Sequence, residues 1–172
     1  MRTTSLIPIL GLLALTARAA SAAGPLAAGD AFPDWKLPDH TGKAVSSKDL
    51  AGKTYLVWFY PKAQTPGCTA EGRGLRDRID DFRARGVEVV GVSFDAPEAN
   101  AAFVKAEGFP FRLLSDQERT LARSVGAADA ADAPFARRIS YLVGPDGRVR
   151  QAYAQVTPAT HAADVLGDIP VP

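Results

Sequence analysis

Two apolar runs bracket a helical segment near the middle of the chain, and that arrangement restricts the fold more than any other feature. Tyr55 to Tyr60 reads YLVWFY and Val87 to Phe94 reads VEVVGVSF, each the kind of strand that is buried on both faces. Between them, Leu75, Ile79 and Phe82 recur at helical spacing in a segment from Cys68 to Arg85, and Gly86 ends it. Strand, helix and strand in this order require a βαβ crossover. The alternation continues with a helix at Pro97 to Glu107 stopped at Gly108, a short strand at Phe111 to Leu114 and a short helix at Gln117 to Val125. Ala127 to Pro134 is an Ala/Asp-rich loop without periodicity. After it, strands at Ile139 to Val143 and Val149 to Val156 are joined by the hairpin turn Pro145-Asp146-Gly147, and residues 158 to 166 form a last short helix. Phe32 to Leu50 reads as two short strands around a turn at Asp39 to Gly42. The expected fold is α/β: a central mixed β-sheet flanked by helices, with an N-terminal β-hairpin extension.

The first residues have the pattern of a secretory signal peptide. Arg2 supplies a positive start, LIPILGLLAL an apolar core of about ten residues, and Ala20-Ser21-Ala22 a small-residue cleavage site. Such a core is too short for a membrane span, which needs about twenty residues. We therefore expect residues 1–22 to be a signal and 23–172 to be one soluble domain, exported and periplasmic. A cysteine-linked lipid anchor is excluded, because no cysteine lies in or just after the segment. Loss of Arg2 and Arg18 takes the formal net charge from +1 to about −1, which carries no nucleic-acid or membrane-surface signature. The chain has one cysteine, so it holds no internal disulfide.

That cysteine, Cys68, follows the string PKAQTPG and falls in the first turn of the expected helix. Backbone N–H groups there lack intrahelical acceptors and the helix dipole is positive, so the thiolate is favoured and the residue reads as a nucleophile. The alternative is a small buried hydrophobe, the usual state of a lone cysteine.

Pro61, Thr65 and Cys68 have the spacing P-x(3)-T-x(2)-C, and here the chain resembles the peroxiredoxins, the alkyl hydroperoxide reductase/thiol-specific antioxidant family. The segment WFYPKAQTPGCTAEGRGLRD is similar to the active-site stretch of the bacterioferritin-comigratory protein/peroxiredoxin Q subfamily, and RRISYLVGPDG to its later arginine-bearing strand and hairpin. The resemblance spans nearly all of residues 27 to 167. It implies a thioredoxin-like fold and a thiol peroxidase without metal, haem or flavin. Cys68 would attack a hydroperoxide and become a sulfenic acid. Thr65 would present its hydroxyl to the sulfur and the peroxide while also serving as helix N-cap, and Pro61 would shield the thiolate from water.

The family's arginine maps onto Arg138, at the start of a strand, although a one-residue shift in register would exchange it for Arg137. Backbone N–H groups of Gly67 and Cys68 would complete the anion pocket. Tyr60 lines that pocket on this reading, while Trp58 and Phe59 are core. Glu71 is open between a capping contact, an ion pair holding Arg138 and a solvated helix acid. His40 and His161 read as surface residues, with no spacing that suggests a metal site.

Many members of the subfamily carry a second cysteine five residues after the first, where this chain has Arg73. No other cysteine exists, so a one-cysteine cycle follows, with a hydroperoxide as substrate and, as reductant, an external thiol of thioredoxin, glutaredoxin or low-molecular-weight type or Cys68 of another subunit, in a monomer or weak homodimer. Arg73, Arg76 and Arg78 would place positive charge near the thiolate. Gly72 and Gly74 weaken the first turns of the helix, and we expect local unwinding to expose oxidised Cys68, although Gly72 also fits a close-packing role. A second function class is a peroxide sensor or relay that passes oxidation from Cys68 to a partner thiol. A thiol–disulfide exchanger is disfavoured by the lack of a C-x-x-C pair, and a binding module without chemistry by the presence of the whole set of site residues.

Overall fold

The computed structural model describes residues 24–170, so the expected signal segment lies outside the described residues. A small antiparallel hairpin comes first, β1 (Lys36–Pro38) and β2 (Ala44–Ser46), with Leu37 opposite Val45. The Ser46 N–H donates to Asp49 Oδ2 at 2.8 Å and closes the following 3-10 turn. The first crossover is β3 (Thr54–Phe59), α1 (Pro66–Asp77), α2 (Ile79–Ala84) and β4 (Val87–Ser93). A second is β4, α3 (Pro97–Glu107) and β5 (Arg112–Ser115). The chain ends with α4 (Thr120–Ser124), the hairpin β6 (Ile139–Val143) and β7 (Val149–Tyr153), and α5 (His161–Gly167).

The five longer strands form one sheet in the order β5-β4-β3-β6-β7. β3 and β4 pair in parallel, as do β4 and β5, whereas β6 is antiparallel to both β3 and β7. The mixed sheet therefore follows from the two crossovers and the closing hairpin.

Side-chain alternation along β3 divides the interior into two layers. Tyr55, Val57 and Phe59 face a cluster with Phe32, Trp35, Tyr141, Leu121 and Val125, covered by the N-terminal hairpin and α4. Leu56, Trp58 and Tyr60 face the other cluster, with Cys68, Leu75, Phe82, Phe103, Val165 and Leu166, covered by α1, α2, α3 and α5. Cys68 thus lies on the helix-rich face, at the end where β3 runs out.

Four elements differ in extent from the sequence reading. The helix expected over Cys68 to Arg85 is two helices, because Arg78 leaves helical geometry at φ −110°, ψ 12°. Leu75 before the break and Phe82 after it are both fully buried in one cluster. α4 is shorter than expected: Arg119 takes a left-handed φ of 57°, and the Asp116 carboxylate accepts the Ala122 N–H at 2.8 Å. α5 starts at His161 rather than 158, since Thr157 to Thr160 form a turn closed onto the Thr157 carbonyl. β7 stops at Tyr153, after a register irregularity opposite Leu142 and Val143.

Candidate active site

Beyond Phe59 the Tyr60 N–H still bonds the Val92 carbonyl at 3.0 Å, and then Pro61 turns the chain out of the sheet. The loop that follows is held from β4. Ala63 N–H donates to Asp95 Oδ2 at 2.9 Å, and the Ser93 hydroxyl donates to the same oxygen at 2.9 Å. Gln64 adopts a left-handed φ of 61°, a conformation non-glycine residues rarely take, so the loop is shaped by its anchors rather than by local preference. Thr65 occupies the N-cap position of α1 with Pro66 in the first turn. Its hydroxyl does not cap the helix as expected: it donates to the Lys62 carbonyl at 2.9 Å and tightens the loop instead.

Cys68 then sits in the first turn of α1 with no exposure to solvent. Glu71, three residues on, shares its helix face and is equally buried. Arg138, just before β6, reaches both: Nη2 donates to Cys68 Sγ at 3.5 Å and Nη1 to Glu71 Oε2. Arg137 points elsewhere, pairing with Asp129 at 2.5 Å and donating to the Gly126 carbonyl. The alternation of a strand entry selects one arginine for the sulfur and sends its neighbour to the surface loop.

The electrostatics follow from burial. Desolvation pushes the Glu71 carboxyl above the ordinary carboxylate range, opposed by the Trp58 indole N–H that faces it and by the Arg138 guanidinium. Burial works against the charge on Arg138, but Glu71 and Cys68 together hold its pKa above the usual arginine value. Arg138 is therefore a fixed cation, its donor fork held by the acid at one tine and offered to sulfur at the other.

Gly67 makes this approach possible in a way the sequence did not signal. A Cβ on Gly67 would lie 3.1 Å from Arg138 Nη2. Gly72 is likewise a packing glycine, since a Cβ there would meet Phe109 at 2.5 Å and Trp58 at 3.0 Å.

Other expectations need correction. Arg73, Arg76 and Arg78 do not surround the sulfur. Arg73 makes a bidentate pair with Glu107, Nε to Oε2 at 2.6 Å, while Arg76 bonds Asp77 and the Glu107 carbonyl, and Arg78 bonds Asp81. Their positions on α1 and at its end turn them towards α3 and solvent. Tyr60 is fully buried in the same cluster as Cys68, and its hydroxyl donates to Asn100 Oδ1 at 2.7 Å. Pro61 is half-buried beside the loop it turns. Glu71 is no solvated acid. His161, read as a surface residue, is 1% exposed, because α5 packs through His161, Ala162, Val165 and Leu166. That apolar i, i+1, i+4, i+5 stripe was the signal that could have found it. His40 is half-buried, its Nδ1 accepting the Leu113 N–H at 3.3 Å. Among the described residues no group of histidine, cysteine and acid side chains could hold a metal ion, and no helix is long and apolar enough to cross a membrane.

Comparison with known proteins agrees with this geometry. Residues 28–152 match the model of the AhpC/TSA family. Peroxiredoxin Bcp of Escherichia coli strain K12 is 38% identical over 149 residues, covering 83% of this chain and 94% of its own. Among solved structures, peroxidoxin BcpB from Mycobacterium tuberculosis superimposes with a TM-score of 0.78 at 28% identity, covering 83% of this chain and 96% of that one. The bacterioferritin comigratory protein of Xanthomonas campestris gives 0.73 at 29% identity, over 83% and 94% of the two chains. The sheet order, the buried cysteine at the head of α1 and these relatives converge: the chain belongs to the AhpC/TSA family and is a peroxiredoxin, a thiol-dependent peroxidase of thioredoxin-like fold akin to Bcp and peroxiredoxin Q.

Proposed function

We propose that Cys68 is the peroxidatic nucleophile and that the chain completes its cycle with a thiol from outside itself. The Cys68 thiolate attacks the terminal oxygen of a hydroperoxide; the S–O bond forms as the O–O bond breaks, leaving Cys68 as sulfenic acid and the other oxygen as hydroxide or alkoxide. That anion takes a proton and leaves as water or alcohol. The supporting observation is the contact between Arg138 and Cys68 Sγ, with Glu71 fixing the other end of the guanidinium. A fixed cation at the sulfur stabilises first the thiolate and then the charge that develops on the departing oxygen. Thr65 turns its hydroxyl from the Lys62 carbonyl to the bound peroxide, and the free N–H groups of Gly67 and Cys68 at the head of α1 add to the anion pocket. Hydrogen peroxide and small organic hydroperoxides are the substrates; the Xanthomonas relative was solved in a study of its alkyl peroxide reduction activity.

The second half of the cycle is set by the count of one cysteine. An external thiol condenses with the sulfenic acid to a mixed disulfide and water, and a second thiol releases Cys68 and carries away the disulfide. We also propose, on the pattern of residues 1–22, that the protein is exported and acts in antioxidant defence outside the cytoplasm.

Replacing Cys68 by serine should abolish peroxide consumption, and surviving thiol-dependent turnover would refute the assignment. The relay reading shares the first step and differs in the second. Fast single oxidation of Cys68 with no turnover by thioredoxin, glutaredoxin or glutathione would favour it.

A further inference from the structure

The acid that holds Arg138 has one oxygen satisfied and one not. Glu71 Oε2 receives Arg138, whereas Oε1 is buried without a hydrogen-bond partner, and the buried Trp58 indole N–H, also unpartnered, faces the same carboxylate. A naked carboxylate oxygen in the interior is costly. One further polar atom stands close: His161 Nε2, 3.7 Å from Oε1 and 2.9 Å from Ser140 Oγ. Ser140 lies two residues after Arg138, so strand alternation turns both to the face covered by α1 and α5. Arg138, Ser140, Glu71 and His161 are thereby brought to one point by three elements.

The tautomer of His161 decides what this junction does. With Nε2 unprotonated, its lone pair would face a carboxylate oxygen. With Nε2 protonated, the N–H is within reach of the serine oxygen at 2.9 Å and turns its positive end towards Oε1 at 3.7 Å, an orientation the acid favours.

We propose that His161 is a positioning residue for peroxide reduction: as the neutral Nε2–H tautomer, steadied by Ser140, it fixes the Glu71 carboxylate that aims Arg138 at Cys68. This rests on the peroxidase reading above and names a residue that acts through two others. The groups facing the ring are consistent with a neutral imidazole. Burial lowers its pKa to about 4, with Arg138 adding to that effect and Asp164 on its own helix opposing it. Tyr153 of β7 presents a ring at 5.5 Å and 77°, and its hydroxyl is spent on Asp168.

The test combines kinetics with spectroscopy. His161→Leu keeps bulk and loses the donor, and should slow Cys68 oxidation in stopped flow by roughly tenfold to a hundredfold, as misplacement of a catalytic group does. His161→Gln restores an N–H near the Nε2 position and should recover most of that loss. A parental rate in the leucine variant would overturn the proposal, and so would equal slowing in both variants, which marks a packing role only. Nitrogen-15 correlation spectra of the unaltered protein at neutral pH provide a readout that needs no folded variant at this site. Of its two histidines, His40 is assigned by the signal lost in His40→Gln. A His161 ring with Nε2–H supports the proposal, and one with Nδ1–H or a charged ring overturns it. Activity surviving in Cys68→Ser would instead strike the peroxidase reading and leave the tautomer result standing.

Discussion

Arg138 connects the only cysteine to a buried acid, and removing it has two separable effects. Arg138→Ala should slow Cys68 oxidation on the order of a hundredfold, the usual loss for one preorganised donor. Thr65→Val should cost a similar factor if its hydroxyl turns to the peroxide, and an unchanged rate would remove Thr65 from the chemistry. Arg138→Ala also strands Glu71 in the interior, so urea unfolding should show a loss of stability that Glu71→Gln, added to it, partly restores without restoring rate. Gly67→Ala offers a finer probe, since its Cβ would press on Nη2 at 3.1 Å while the backbone stays helical. Slower oxidation in an otherwise stable protein is expected. Gly74→Ala is the matched control: its Cβ meets only Ala162 at 3.8 Å, so helix propensity should raise stability by about 0.5–1 kcal/mol with no loss of rate. Arg138 and Cys68 stood out in the sequence because a motif marked them, whereas the roles of Gly67 and His161 depend on distances between segments far apart in the chain.

At the scale of elements, α1 carries the conflict between a buried sulfur and a reductant that must reach it. Cys68 has no solvent exposure, yet in the proposed cycle an external thiol has to attack its sulfenic acid. The sequence suggested unwinding of the first turns because of Gly72 and Gly74. The packing narrows that segment: Gly72 is seated against Phe109 and Trp58, Arg73 is clamped to Glu107, and Leu75 is fully buried. We expect the first turn to open alone. Amide exchange at Thr69 and Ala70 should be fast, while Gly72 to Leu75 exchange as slowly as Val87 to Val92; uniform protection along α1 would contradict this. Gly72→Ala should be destabilising by about 1–3 kcal/mol through overpacking. Elements such as α3 and β6 were readable from periodicity and breakers, which act locally. The break at Arg78 and the late start of α5 were not, because tertiary packing and a Thr157 turn set them.

For the whole molecule, two layers around one sheet are held by a core that buries charge and imidazole together, and acid should expose this. His161 takes up a proton near pH 6.5 in the unfolded chain but only near 4 when folded. Across that window the unfolded state binds more protons, so stability present above about 6.5 is lost as pH falls, at up to about 1.4 kcal/mol per pH unit. Glu71 and Asp116, both raised by burial, act in the opposite sense, so the contribution is isolated as the difference between the parent and His161→Gln. That difference should shrink from pH 6.5 to 4.5, and a constant one would contradict a buried neutral ring. The central claim, a peroxidatic Cys68 with no partner in its own chain, is tested most directly by mass spectrometry after one equivalent of hydrogen peroxide. A gain of one oxygen on the Cys68 peptide, converted to a mixed disulfide by one added thiol and back to free Cys68 by excess thiol, is the predicted result. An unchanged Cys68 peptide with the peroxide consumed would contradict the account.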